Sequence, residues 1–293
     1  MTVNKISIGQ IKIHGLRDGY FYLDGGAMFG VVPRTLWEKK FPADEKNRIR
    51  LGLNSILINT EKFLILVETG IGGDLDKKFF DYYSVKREPG LVHSLQRLGY
   101  QAEEINFVIN THLHFDHCGG NTYKNKKGED VPSFPKAKYI IQKGEWEYAL
   151  HPSERDKQSY LTHNFLPLEK YELLQLLDGD REIAEGVEVI IIPGHTSRFQ
   201  CVKVHSEGKV LFFLGDLVPT SAHIGLSYVM SYDLFPLETM ENKKRVFDQA
   251  IEEDWILAFN HDPEHFFGKV KKEDNKYKFV PLVMTPTVIS TSE

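Results

Sequence analysis

The run Thr111-His112-Leu113-His114-Phe115-Asp116-His117-Cys118-Gly119-Gly120 places three imidazoles and a carboxylate within six positions. Imidazole nitrogens and carboxylate oxygens are the donors that zinc and its neighbours accept. In an extended segment side chains alternate, so His112 and His114 fall on one side and can grip one ion. If the chain then turns into a helix, Asp116 and His117 swing towards a second ion. A lone histidine would be read as a satisfied polar residue, whereas the whole cluster reads as a metal centre. Cys118 lies beside the donors but suits packing as a small apolar side chain.

Four apolar, strand-like runs end within a few residues in a His or an Asp. Ile105 to Ile109 leads to His112, Val187 to Ile192 leads to Pro193-Gly194-His195, Val210 to Leu214 leads to Gly215-Asp216, and Trp255 to Phe259 leads to Asn260-His261. Loops at strand ends can converge on one rim of a sheet, where a rigid scaffold holds them and solvent still reaches them. Other segments supply that scaffold. Ile6 and Ile8, then Ile11 and Ile13, alternate as in a half-buried strand. Ser55 to Ile58 and Phe63 to Val67 flank Asn59-Thr60-Glu61-Lys62 and predict a hairpin. Leu91, Val92, Leu95 and Leu98 recur at helical spacing between Pro89 and Gly99. Lys138 to Ile141 and Cys201 to Val204 read as strands, and helical spacing returns from Leu168 to Leu177 and at Val246, Phe247, Ala250 and Ile251. A Gly-rich segment, Asp24 to Gly30, reads as a loop. Strands and helices alternate with no Ser/Pro-rich linker, which predicts one α/β domain over residues 1–293.

The chain carries 36 basic and 41 acidic side chains, a net charge of −5, with no long block of one sign. That balance argues against nucleic acid as a partner, since such proteins carry a basic stripe. With 41% apolar and 26% charged residues, the composition is that of a soluble globular chain able to bury a sizeable core. Two cysteines, Cys118 and Cys201, are too few for a disulfide framework and fit a reducing compartment. The first residues lack the apolar stretch of a signal peptide, and no run is long enough to span a membrane. A cytoplasmic protein without a membrane partner is expected.

His-x-His-x-Asp-His, a later His, an Asp after a further strand and a final His near the C-terminal part make a pattern that resembles the metallo-β-lactamase superfamily. The matching positions are His112, His114, Asp116, His117, His195, Asp216 and His261. The resemblance implies a four-layer αββα sandwich with a two-metal site on its rim. It implies His112, His114 and His195 on the first ion, Asp116, His117 and His261 on the second, and Asp216 bridging. It further implies two divalent ions per chain, zinc before iron, cobalt or manganese, and hydrolysis by attack of a metal-bridging hydroxide, with Asp116 and Asp216 in catalytic roles. Structural zinc sites are closed and Cys-rich, whereas these seven N/O donors leave coordination for water, which disfavours a non-catalytic metal protein.

Within the superfamily, flavodiiron members usually have Glu at the position of His114 and carry a flavodoxin module for which no length remains. Nucleases are disfavoured by the acidic balance, and periplasmic β-lactamases by the absent signal peptide. Gly25 to Trp37, followed by Pro42 to Asn47, is similar to the N-terminal signature of the quorum-quenching N-acyl homoserine lactonases and the related methyl parathion hydrolase-like enzymes. Asp216-Leu217-Val218-Pro219-Thr220, with His223 close behind, is similar to the same branch. The resemblance implies a small-molecule lactone as substrate. Aryl-ester or phosphotriester hydrolysis and a glyoxalase II-type thioesterase are the alternatives, and a homodimer is open because dimers occur among the relatives. Met28 and Phe29 either contact the substrate or plug the core beneath their loop. The best-known lactonases have Tyr where this chain has Pro219, so a donor to the lactone carbonyl must come from elsewhere, and His223 is the nearest ionisable candidate. Glu68 stands where the superfamily usually has Asp, in a position that buttresses a ligand. The aromatic residues Trp146, Tyr148, Tyr160, Phe165 and Tyr171, between His117 and His195, either wall the pocket or form a layer over the sheet, and spacing favours the layer.

Overall fold

Two sheets, with helices outside them, form the frame of the structure. The computed structural model describes residues 2–73, 75–87, 90–282 and 287–288; Pro89, expected at a helix start, lies outside the described residues. The strands are β1 (Thr2–Ile8), β2 (Ile11–Asp24), β3 (Arg48–Asn59), β4 (Leu64–Val67), β5 (Phe107–Ile109), β6 (Thr122–Lys124), β7 (Asp130–Pro132), β8 (Lys138–Gln142) and β9 (Leu174–Leu177). They continue as β10 (Arg181–Ala184), β11 (Val187–Ile191), β12 (Gln200–Ser206), β13 (Lys209–Phe213), β14 (Ile256–Ala258), β15 (Phe267–Glu273), β16 (Lys276–Pro281) and β17 (Thr287–Val288). The helices are α1 (Gly25–Phe29), α2 (Arg34–Trp37), α3 (Lys77–Tyr83), α4 (Leu91–Arg97), α5 (Phe115–Cys118), α6 (Lys143–Leu150), α7 (Leu166–Lys170) and α8 (Pro236–Glu252). One sheet has eight strands in the order β17-β1-β2-β3-β4-β5-β8-β9, the other seven in the order β10 to β16, and β6 pairs with β7 apart from both.

The period of two sorts the strand residues into layers. Ile56, Ile58, Ile65 and Val67 of the first sheet meet Val202, Val204, Leu211 and Phe213 of the second in a shared apolar layer. The intervening Leu57 and Leu66 point outwards and pack with Leu91 and Leu95 of α4, Trp146 and Ala149 of α6 and Leu168 of α7. On the far side Phe212 and Leu257 pack with Val246, Phe247 and Ala250 of α8. The result is the αββα sandwich. Strands buried on both faces explain why they read as continuous apolar runs, and each such side chain contributes about 1.5–3 kcal/mol on burial.

The same topology makes the rim. β4, β5, β8 and β9 run parallel, as do β13 and β14. β11 points the way of β13, because β12 is antiparallel to both. The C-terminal ends of β11, β13 and β14 therefore share one edge. The Gln200 N–H donates to Thr111 O at 3.1 Å and ties that edge to the end of β5.

Two segments differ from the sequence expectation. Leu168 to Leu177 is not one helix: α7 ends at Lys170, Glu172 takes φ +56°, and Leu174–Leu177 joins the sheet beside β8. Leucines crowded this closely satisfy either period, and pairing with β8 decides between them. The Gly-rich segment is a short helix, α1, with Asp24 Oδ1 accepting the Ala27 N–H at 2.8 Å. Among the described residues no helix is long and apolar enough to cross a membrane.

Candidate metal centre

After β5 the chain bends at Thr111 and His112, is extended at His114 (φ −67°, ψ 152°) and then makes the single turn α5. The rings of His112 and His114 lie 4.4 Å apart, while Leu113 between them turns into the core. The turn of α5 brings Asp116 and His117 towards the same region. Gly119 and Gly120 allow the backbone after β4 to approach: a Cβ on Gly119 would stand 2.3 Å from Ile71 O, and one on Gly120 2.3 Å from Thr69 O. The Thr69 N–H donates to His117 O at 2.8 Å and fixes that contact.

Three donor groups meet here: His112, His114 and His195; Asp116, His117 and His261; and His112, His117 and Asp216, with ligand atoms within 4.8 Å in each. His195 Nε2 is 3.2 Å from His114 Nδ1, and His261 Nε2 is 3.1 Å from His117 Nε2. Asp216 lies between the two clusters. Its Oδ2 is 3.3 Å from His195 Nε2, whereas its Oδ1 is 3.4 Å from His117 Nε2 and 3.2 Å from His261 Nε2. One carboxylate thus offers one oxygen to each cluster.

The outer nitrogens are tied down. His112 Nδ1 meets Thr111 Oγ1 at 2.9 Å, His195 Nδ1 meets Asp233 Oδ1 at 2.8 Å, and His261 Nδ1 donates to Gly52 O at 2.9 Å. Holding the proton on Nδ1 leaves each Nε2 lone pair directed inwards. Glu68, at φ +64°, accepts the Thr111 N–H at 2.9 Å and faces His117 Nδ1 at 3.5 Å.

Burial, then the neighbouring imidazoles, hold His112 and His114 well below the usual histidine range, so both are neutral donors. Burial would also lower His117, but Asp216, Asp116 and Glu68 override it and raise that ring. Burial would raise Asp216, yet His117, His261 and His195 hold it well below the usual carboxylate range. His112 Nε2 and Asp216 Oδ1 are buried without a hydrogen-bond partner, which is costly for a polar atom. A cation between them removes that cost, so the donor set fits two divalent ions.

The donors open into a cavity of about 370 Å³. His114, Asp116, His195, Asp216 and His261 line it, together with the apolar and aromatic side chains of Leu23, Met28, Phe115, Met230, Tyr83 and Tyr232 and the polar residues Arg155, Asp156, Gln158, Ser159 and Ser231. Met28 therefore reaches the cavity. Phe29 does not: it is stacked between Trp37 and His223, with ring centroids at 5.3 and 4.5 Å. The expectation for His223 is also corrected. Its ring is fully buried, with Nδ1 at 2.7 Å from Thr220 Oγ1 and Nε2 donating to Met28 O at 2.8 Å, so neither nitrogen can reach a substrate. Trp146 and Phe165 belong to the layer over the sheet, whereas Tyr160 also lies 4.7 Å from the His114 ring. Cys118 is buried and its thiol donates to Leu113 O at 3.3 Å.

Asp233 and Glu145 were not found from the sequence. Asp233 follows no spacing rule and arrives because the Leu234 and Phe235 N–H groups donate to His195 O and Gly194 O at 3.1 and 2.9 Å. Glu145 is one of two acids on α6, indistinguishable in sequence from the exposed Glu147.

A sandwich with paired His/Asp clusters on its rim, opening into a substrate-sized cavity, defines a hydrolase of the two-metal class. The chain belongs to the metallo-beta-lactamase superfamily, whose profile matches residues 49–261. An N-acyl homoserine lactonase from a Bacillus species is 30% identical over 225 residues, covering 72% of this chain and 82% of that one. The crystal structure of a probable metal-dependent hydrolase from Staphylococcus aureus is 31% identical, covers 96% of this chain and all of its own, and superposes with a TM-score of 0.86. A dizinc quorum-quenching lactonase solved with a product shares the fold at 21% identity, with a TM-score of 0.81 over 97% of this chain and 98% of its own.

Proposed function

We propose that this chain opens the ring of N-acyl homoserine lactones, with His112, His114 and His195 holding one zinc ion, Asp116, His117 and His261 a second, and Asp216 shared. The observation that carries the reading is that one cavity brings the donor clusters together with the apolar side chains of Leu23, Met28, Phe115 and Met230. A lactone with an acyl tail calls for both. The resemblance to named lactonases over most of the chain supports it.

Divalent ions held at these donors would supply Lewis acidity and an activated water at neutral pH. The protein's own groups do the rest. Asp216 sets the spacing of the two clusters through its two oxygens. Asp116 reaches the cavity beside His261, at 3.5 Å, and is placed to take up the proton that the attacking water gives off and pass it to the alkoxide released when the ring opens. Met28 and Met230 give an adaptable surface for a flexible tail.

The test is a panel of acyl homoserine lactones, an aryl ester and a phosphotriester on the zinc-loaded protein. Each tail methylene that leaves water gains about 0.8 kcal/mol, so kcat/KM should rise roughly fourfold per CH₂ until the wall is covered. Faster turnover of the aryl ester or phosphotriester would replace the lactonase reading with that activity.

A further inference from the structure

Glu145 donates nothing to the metal clusters, yet it is buried, with 1% of its surface exposed. Its Oε1 accepts the Leu113 N–H at 3.0 Å and the Tyr160 hydroxyl at 3.1 Å, and its Oε2 accepts the Thr196 hydroxyl at 2.7 Å. Leu113 stands between His112 and His114, and Thr196 follows His195. The Tyr160 ring in turn packs on His114. One carboxylate on α6 therefore ties together both chain segments of the first cluster, across the 3.2 Å gap between His114 Nδ1 and His195 Nε2.

All three donors to Glu145 are neutral. Burying a carboxylate against neutral donors is costly when a hydroxyl or amide would join the same loops. A dication bound nearby offsets that cost. Glu68 stands in the corresponding relation to the second cluster, through His117, so each cluster has a buried carboxylate outside its ligands.

We propose that Glu145 is a positioning residue of the first metal position, fixing the spacing of His114 and His195 and adding a negative charge that favours a dication there. The inference rests on the two-ion reading of the site and not on the identity of the substrate.

The experiment loads the full chain with zinc, equilibrates it against chelators of increasing strength and counts the zinc retained. Glu145→Gln keeps the shape and loses the charge, whereas Thr196→Val keeps the charge and loses one tether. Each should weaken one zinc by about 10- to 100-fold, the usual effect of removing an outer partner, and leave the other as in wild type. Adding Asp116→Ala, which removes a ligand of the second position, should then leave neither ion held with wild-type affinity. Glu147→Gln, on the exposed face of the same helix, should retain both ions. Wild-type affinity for both zincs in Glu145→Gln and Thr196→Val overturns the proposal. So does a double variant that still holds one ion with wild-type affinity, because Glu145 would then act on the second position. If Glu145→Gln does not fold, Thr196→Val decides by the same two outcomes. A wild-type chain that holds fewer than two zincs overturns the two-ion reading itself, which is a separate result.

Discussion

Removing the carboxylate of Asp233 isolates how far a residue that touches no ion controls one. Asp233 is buried and its Oδ1 lies 2.8 Å from His195 Nδ1. In Asp233→Ala that Nδ1–H stays buried with no acceptor, and His195 loses the partner that aims Nε2 at the cluster. A hydrogen bond to a charged group is worth about 1.5–3 kcal/mol, which at 1.4 kcal/mol per decade is about 10- to 100-fold in affinity. Asp233→Asn should lose less, because the amide oxygen still accepts and only the charge is gone. The loop itself stays anchored, since the Leu234 and Phe235 N–H groups bind the backbone of His195 and Gly194. Zinc affinity by chelator competition, with kcat/KM on the same preparation, reads the effect. Zinc affinity of Asp233→Ala within about twofold of wild type, far below the tenfold expected, would refute the reasoning.

Asp216→Asn leaves one oxygen where two are shared between clusters, so metal content should fall from two ions towards one and kcat should fall more than KM rises; unchanged values of both would remove Asp216 from the site. Phe29→Ala should cost about 3–5 kcal/mol of unfolding free energy in a urea titration, as expected for a stacked core ring, and a loss near zero would return Phe29 to the cavity. His223 gives a pH dependence. Burial first, then Lys243 and Lys40, lower its pKa to about 3 against a Met28 carbonyl and Asp216 that act to raise it. The unfolded ring takes its proton near pH 6.5 and the folded ring only near 3, so the unfolded state binds more protons in between. Stability should therefore fall as pH drops from about 6.5 towards 3, by up to about 1.4 kcal/mol per unit from this group. Unfolding free energies at several pH values should show a shallower slope in His223→Phe, and an equal slope would contradict the assignment.

The donors were legible in sequence because their chemistry is local: His112 to His117 carry the spacing in one run, and His195, Asp216 and His261 each follow an apolar strand. The hairpin around Asn59-Thr60-Glu61-Lys62 was legible for the same reason, and β3 and β4 pair there with Asn59 opposite Leu64. What failed depended on tertiary partners. Leu174–Leu177 is a strand because β8 offers it a place. Phe29 and His223 looked functional on polar or Gly-rich loops, but they come from distant segments and stack on each other out of reach of the cavity. Asp233 and Glu145 act through partners 38 and 51 residues away, a relation no spacing rule carries.

The rim has one more consequence. Its closest histidine pairs join residues 81 and 144 positions apart, each pair drawn from the two different sheets. An ion in either cluster is therefore also a clasp across the sandwich, closing a long loop of chain whose entropy cost the folded layers have already met. A metal ion bound there stabilises only the state in which both sheets are docked, in proportion to the logarithm of its concentration over its dissociation constant. Capture of the ions thus doubles as a check on assembly: a chain with one sheet formed presents only part of each clasp and holds neither firmly.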